Sequence, residues 1–103
     1  MVTVVVNYEL APSFTTDRVR TNFEQAIPKY KDLTGLIRKY FLIATDGKSA
    51  GSVYLWETNE QALAFHDENW KQFMHDKYGH RPSLEIYECP IVIDNHSREV
   101  IQI

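Results

Sequence analysis

Two side chains with chemical potential, His66 and Trp70, lie four residues apart in a stretch whose apolar residues have helical spacing. Steps of four, four and three place one set of residues on a single side of the helix: Ala62, His66, Trp70 and Phe73. A histidine with a near-neutral pKa can accept a proton, and a flat indole can form one wall of a pocket for a planar ligand. The spacing therefore predicts a cleft between this helix and a sheet, with His66 as the base.

A structural interpretation of the same two residues stays open. Trp70 would then anchor the core through an indole N–H that finds a carbonyl, and His66 would be a half-buried histidine with satisfied polar atoms. The two interpretations differ in whether a ligand or only protein lies beside the rings.

Other candidate pocket residues are polar or aromatic side chains on predicted strands and on the same helix. Asn7 interrupts the apolar first strand. The candidates for contact with a substrate are Tyr40, Tyr54, Trp56, Phe73 and Tyr87. Each alone is more often a packing residue with a polar tip, but their concentration favours an aromatic pocket. Arg38 and Lys39 are expected on opposite faces of their strand, with both charges extended to its rim.

The motifs of several enzyme classes are absent from the sequence. It contains no G-x-G-x-x-G, no P-loop, no G-x-S-x-G and no H-E-x-x-H. The histidines at 66, 75, 80 and 96 are nine, five and sixteen residues apart, so no two suit metal ligation from one helix face. Neither a metal nor another cofactor is expected.

Composition limits the classes of partner. The 103 residues are 44% hydrophobic and 24% charged, in the range of one globular domain. Eleven basic and fourteen acidic residues give a net charge of −3 without a basic stripe, so nucleic acid is not an expected partner. No apolar run approaches the ~20 residues that span a bilayer, and the N-terminus lacks a signal-peptide pattern. We therefore predict a cytoplasmic protein without a membrane partner.

The elements that position the candidate residues begin with a strand and a helix. Residues 2 to 9 are β-branched and aromatic, as is typical of a strand. A helix begins near Thr16, and we expect it to break near Ile27 because Pro28 lacks a backbone donor.

A hairpin, a second helix and a last strand follow. Strands over residues 36 to 44 and 52 to 57 flank a turn with an Asp-Gly pair. The helix over residues 58 to 77 begins with a capping box and carries His66. Residues 83 to 93 form a fourth strand, which Pro90 restricts to a sheet edge because proline cannot donate to a ladder.

The order β-α-β-β-α-β predicts an α+β, ferredoxin-like fold with a four-stranded antiparallel sheet and two helices on one face. Apolar residues occur on both sides of the middle strands, so the second face needs a cover. We therefore predict a homodimer whose sheets pack face to face. Residues 1 to 95 form the domain, and the tail, residues 96 to 103, is expected to dock on the partner subunit.

Five segments carry a family resemblance over roughly residues 2 to 95. They are GLIRKYFL (35 to 42), DGKSAGSVYLWE (46 to 57), the helix with Trp70, YGHRP (78 to 82) and YECPIVIDN (87 to 95). In this order they resemble the YdhR-type monooxygenase family. That family belongs to the dimeric α/β-barrel superfamily, which includes the antibiotic-biosynthesis monooxygenases.

The resemblance implies a dimeric α/β barrel that oxygenates an electron-rich phenol or quinol without a cofactor. Such a substrate, once deprotonated, passes an electron to O₂, so the protein supplies a base, a dry pocket and hydrogen bonds to the oxyanion. Members of the family use an Asn on the first strand and a Trp on the second helix, and Asn7 and Trp70 occupy the matching places. With His66, which rests on helical spacing alone, these are the predicted catalytic residues.

Two alternatives stay open. Haem binding and degradation occur in the same superfamily, with a His shortly after the Trp, and His80 follows Trp70 by ten residues. Because His80 comes directly after the helix-ending Gly79, its ring is expected to face solvent. The other alternative is a non-catalytic or stress-associated dimer that binds a small aromatic molecule without turning it over.

Overall fold

The described chain, residues 1 to 102 of a computed structural model, folds as an α+β protein. Its helices are α1 (Thr16–Tyr30), α2 (Asn59–Phe65) and α3 (Glu68–Tyr78), and its strands are β1 (Val2–Glu9), β2 (Leu36–Ile43), β3 (Ser49–Trp56), β4 (Ser83–Glu88), β5 (Ile91–Asp94) and β6 (Glu99–Gln102). Strands β1 to β4 form an antiparallel sheet in the order β2-β3-β1-β4. This arrangement is compatible with the predicted ferredoxin-like fold. Within the described residues, no helix has both the length and the apolar character that crossing a membrane requires.

The sheet has a covered face, on which the helices pack, and an open face. Alternation along β1 defines the two faces, because Val4, Val6 and Tyr8 are buried whereas Asn7 and Glu9 are exposed. The core lies between the covered face and all three helices. Its largest fully buried side chains are Trp56, Tyr54, Val4, Val6 and Val19.

The predicted break in the first helix is wrong, because α1 continues through Pro28 to Tyr30. The N–H of Lys31 still donates to the carbonyl of Ile27 at 2.9 Å and closes the last turn. Pro28 and Glu24 are exposed, so water can reach the Glu24 carbonyl, which has no donor because Pro28 lacks an N–H.

The prediction of one continuous helix over residues 58 to 77 is also wrong, since α2 ends at Phe65 and α3 begins at Glu68. The cause is Asp67, whose carboxylate accepts a hydrogen bond from the Trp70 N–H at 2.9 Å. Its backbone is extended, as expected for a helix N-cap. The chain therefore bends between His66 and Trp70.

The fourth strand is shorter than predicted. It ends at Glu88, at the sheet edge as expected, and β5 pairs instead with β6 in a separate hairpin. Part of the predicted tail thus pairs within its own chain, whereas Ile103 lies outside the described residues. The carboxylate of Asp94 in β5 pairs with Arg38 of β2, the edge strand opposite β4. The hairpin therefore reaches back to the edge strand β2 through this ion pair.

Candidate functional site

A cleft of about 230 Å³ lies between α1, α3 and the covered face of the sheet. Aromatic side chains dominate its lining, among them Tyr8, Phe23, Tyr30, Phe41, Tyr54 and Phe73. The volume exceeds the ~150 Å³ of an apolar cavity that admits benzene, and it is below the ~300 Å³ at which pockets for drug-sized molecules begin. The cleft therefore suits a small ligand with one aromatic ring.

The side chain of Lys39 enters this cleft from β2. Its Nζ lies 3.3 Å from the ring centroid of Tyr30, 4.0 Å from that of Phe41 and 4.5 Å from that of Tyr54. In residues 1 to 102, no carboxylate forms an ion pair with it. The amine of Lys39 therefore contacts aromatic ring faces and is not paired with a carboxylate.

The charge of Lys39 depends on two opposing influences. Burial, followed by the charges of Lys29 and Lys77, lowers the pKa of Lys39 to about 6. The ring faces act in the other direction, since their quadrupoles attract an ammonium. With the pKa at about 6, the amine is mostly neutral at pH 7 and can accept a proton.

Two further lysines line the cleft from the helices, Lys29 from α1 and Lys77 from α3. Their Nζ atoms lie 4.8 Å and 5.7 Å from the ring centroid of Phe73. Burial and the charge of Lys29 lower the pKa of Lys77. The charges of Lys29 and Lys77 produce a positive potential in the cleft that favours an anionic ligand or an anion formed during a reaction.

Tyrosine hydroxyls supply the neutral polar groups of the cleft. Burial raises the pKa of Tyr8, Tyr54 and Tyr30 above the ordinary value for a phenol. The ring of Tyr8 stacks on that of Tyr78, with centroids 4.5 Å apart. These hydroxyls stay protonated at neutral pH and can donate hydrogen bonds to a ligand.

Behind the cleft, His66 lies in a closed aromatic cluster at the end of α2. Its ring centroid is 4.5 Å from those of Tyr54 and Trp70 and 4.9 Å from that of Phe65, with all three rings in edge-on contact. Only 5% of its surface is exposed. Tyr54 belongs to both the cluster and the cleft lining, so it separates the imidazole from the cleft.

The predicted near-neutral pKa of His66 is wrong. Burial, followed by the charge of Lys39, lowers the pKa to about 4. Nε2 accepts a hydrogen bond from the indole N–H of Trp56 at 3.2 Å, so the proton of the neutral ring lies on Nδ1. That Nδ1 is buried and has no hydrogen-bond partner within residues 1 to 102. The Nε2 lone pair, with which a general base would accept a proton, already accepts the hydrogen bond from Trp56.

Trp70 is 6% exposed and packs against His66 and Phe65. Its indole nitrogen is buried without a hydrogen-bond partner in the described part of the chain. The bend at Asp67 brings Trp70 and His66 together, although the single helix that predicted their contact does not exist.

The structure divides the predicted site residues into three groups. Tyr54 and Phe73 line the cleft, whereas His66, Trp70 and Trp56 form the buried cluster behind it. The remaining three candidates, Asn7, Tyr40 and Tyr87, are exposed on the open face.

Asn7 and Trp70 therefore lie on opposite sides of the sheet within one chain. Asn7 is exposed beside Ser83 of β4, whereas Trp70 packs in the core of the covered face. Tyr40 is 53% exposed, and the hydroxyl of Tyr87 donates to the carboxylate of Glu85.

Lys39 is one of several cleft residues that sequence reasoning missed, together with Tyr8, Lys29, Tyr30 and Lys77. Its expected position at the rim is wrong, since the amine lies over the ring of Tyr30. The signal was present in the alternation of β2, because Lys39 shares its face with the inward-pointing Phe41 and Ile43. A long aliphatic stem makes such a position tolerable.

No protein-family model matches this chain, and no curated protein is significantly similar to it. Functional assignment therefore rests on the geometry of the cleft. His80 is exposed beyond the end of α3, and within residues 1 to 102 no histidine lines the cleft.

Proposed function

We propose that the cleft binds a small, electron-rich phenol or quinol and promotes its oxygenation by O₂ without a cofactor, as in the YdhR-type monooxygenases. The observation that carries this proposal is the position of Lys39, a lining residue of the cleft whose Nζ lies among three aromatic rings. A phenol bound in the cleft would bring its hydroxyl to an amine able to take its proton. In this proposal Lys39 replaces His66 as the base.

The reaction balances without an external reductant. Lys39 accepts the phenolic proton, and the phenolate transfers an electron to O₂ to form a radical pair, which combines at the para carbon to a hydroperoxide. The O–O bond then breaks, the para hydrogen is lost, and water leaves. One oxygen atom stays in the product quinone and the other departs in the water, so the phenol supplies all the electrons.

The surrounding groups favour the charged intermediates of this reaction. Lys29 and Lys77 provide positive potential for the phenolate and for reduced oxygen. The protonated hydroxyls of Tyr8 and Tyr54 are available as hydrogen-bond donors. The cluster of His66, Trp56 and Trp70 forms the rigid wall behind Tyr54.

We infer that the functional unit is a homodimer. Apolar side chains remain exposed on the open face, at Tyr40 and Leu42, and on the C-terminal hairpin, at Ile93 and Val100. A second sheet packed on this face would bury them, as in a dimeric α/β barrel. The cleft lies on the other side of the sheet, so each subunit would hold its own substrate.

Oxygen consumption by the purified protein tests the proposal. The substrates are one-ring hydroquinones and phenols, with polycyclic phenols as a size control that the cleft should exclude. We expect uptake with one-ring substrates that Lys39→Met lowers by about 100-fold, the typical contribution of a general base. Lys48→Met is the matched control, because Lys48 is exposed and outside the cleft lining. Equal rates in Lys39→Met and wild type would exclude Lys39 as the base.

A non-catalytic binding protein is the second candidate, and the position of Asn7 favours it. One of the two side chains that the family resemblance makes catalytic lies on the open face, away from the cleft. A binding protein would give saturable quenching of tryptophan fluorescence by a phenol, with no oxygen uptake above that of the buffer. No contact in the cleft supports the haem alternative. An unchanged absorption spectrum of haemin on mixing with the protein would exclude it.

A further inference from the structure

Lys39 has the surroundings of a nucleophilic amine as well as those of a base. Its Nζ reaches the cleft, and it contacts the ring faces of Tyr30, Phe41 and Tyr54. Across residues 1 to 102, no acid pairs with it. A lysine in an apolar pocket beside other cations is the arrangement that activates an amine toward carbonyl compounds.

The groups around the amine come from every element that packs on the cleft. Lys29 and Tyr30 face it from α1, Lys77 and Tyr78 from α3, and Tyr8 and Tyr54 from the sheet. No carboxylate is among the cleft lining of the described residues, so the polar groups that an anionic ligand meets are cations or neutral. Lys29 and Lys77 are placed on the two helices that flank the opening.

We propose that Lys39 forms an imine with a one-ring aromatic aldehyde whose anionic substituent is held by Lys29 and Lys77. This goes beyond oxygenation, since it needs neither O₂ nor a phenol. The cleft volume of about 230 Å³ limits the partner to a single ring, and the aromatic side chains of the lining provide apolar contact surface for it.

The condensation balances within the two reactants. The lone pair of Nζ attacks the carbonyl carbon while the C=O π pair moves to oxygen, and a proton passes from nitrogen to that oxygen to give a carbinolamine. Loss of water then forms the C=N bond. The low pKa of Lys39, about 6, makes the neutral amine the main form at pH 7. The product is a neutral imine, and when it takes a proton from solvent the resulting iminium carries a positive charge that the ring faces stabilise.

Pyridoxal 5′-phosphate is the probe, because it combines one ring, an aldehyde and an anionic group. The full-length protein is mixed with the probe without O₂, reduced with borohydride and digested, and the labelled lysines are quantified by mass spectrometry. We expect Lys39 to label at least about tenfold faster than Lys48, which is exposed and lies outside the cleft lining. Equal labelling of the two lysines, or label on the N-terminal amine alone, would overturn the proposal.

Two sets of variants separate the parts of the proposal. Lys39→Arg should lose the label while Lys48→Arg retains it, and Lys39→Met replaces the arginine variant if circular dichroism finds that one unfolded.

Lys29→Gln with Lys77→Gln should weaken labelling by the phosphate probe about tenfold, since each removes a charge from the opening. Neutral benzaldehyde should lose less than the phosphate probe, because the two charges affect it only through the pKa of Lys39. An equal loss with both aldehydes would overturn the role of the two cations. Because O₂ is absent, failure here is independent of failure of the oxygenase assay.

Discussion

The indole N–H of Trp56 donates a hydrogen bond of 3.2 Å to Nε2 of His66, and this contact determines the protonation state of the imidazole. A ring that accepts at Nε2 while neutral carries its proton on Nδ1. Protonation of Nε2 would break the contact and place a charge among the rings of Tyr54, Phe65 and Trp70. His66 is therefore a structural acceptor in its cluster.

Stability should fall in acid because of His66. Its pKa is about 4 in the folded protein and near 6.5 in the unfolded chain, so between those values the unfolded state binds one more proton. The stabilisation is fully present above pH 6.5 and is lost as the pH falls toward 4, by about 2 to 3 kcal/mol. Urea unfolding across that range measures it.

His66→Gln is the control for this prediction. The glutamine amide can accept from the Trp56 N–H but does not titrate, so other acidic groups contribute equally to both proteins. The difference in unfolding free energy between wild type and variant should therefore change with pH between 4 and 6.5. A difference that is constant with pH would show that His66 is not held neutral by its surroundings.

Asp67→Ala should destabilise the protein by about 1 kcal/mol, the usual cost of losing an N-cap acceptor. The Asp67 carboxylate is the partner of the Trp70 N–H at the start of α3. Thermal unfolding measures the loss. Asp67→Asn is the matched variant, because an asparagine caps a helix about as well, and it should unfold near the wild-type temperature. Equal losses in the two variants would assign the effect to charge and not to capping.

Sequence periodicity predicted the sheet and its covering helices, because β-branched strands and capped helices are local patterns. The predicted element boundaries were wrong where a single residue, Asp67 or Pro90, separates two elements. Asp67 lies within the span predicted as one helix over residues 58 to 77, but its carboxylate caps the start of a separate helix, α3. The β5–β6 hairpin was missed because Pro90 was placed inside a strand and not between two.

The candidate site was predicted only in part, for a reason that concerns faces of the sheet. Tyr54 and Phe73 line the cleft as expected. Asn7 was chosen for its polarity and by resemblance, but strand alternation places it on the open face. Lys39 was set aside as a rim residue because lysines are rarely buried, and only three-dimensional packing identifies the rings that enclose it.

Lys39→Met should stabilise the protein at pH 7. The pKa of Lys39 is about 6 when folded and near 10.4 when unfolded, so the unfolded state binds the extra proton between these values. Wild type consequently gains stability as the pH rises from 6 to 10, and the methionine variant lacks that gain. We expect an advantage of about 1 to 3 kcal/mol for the variant at pH 7 that shrinks toward pH 10. A variant less stable than wild type at both pH values would mean that the rings hold an ammonium.

The open face should mediate dimerisation, because its exposed apolar side chains have no cover within the described chain. Leu42 of β2 is 43% exposed on that face, close to the aromatic side chain of Tyr40. Leu42→Glu would place a charge in a sheet-to-sheet interface, where an unpaired buried charge costs several kcal/mol. We expect wild type to sediment as a dimer and Leu42→Glu as a folded monomer.

Leu63→Glu is the matched control, since Leu63 is 54% exposed on α2, away from the open face, and its variant should stay dimeric. Wild-type protein that sediments as a monomer at micromolar concentration would refute the interface.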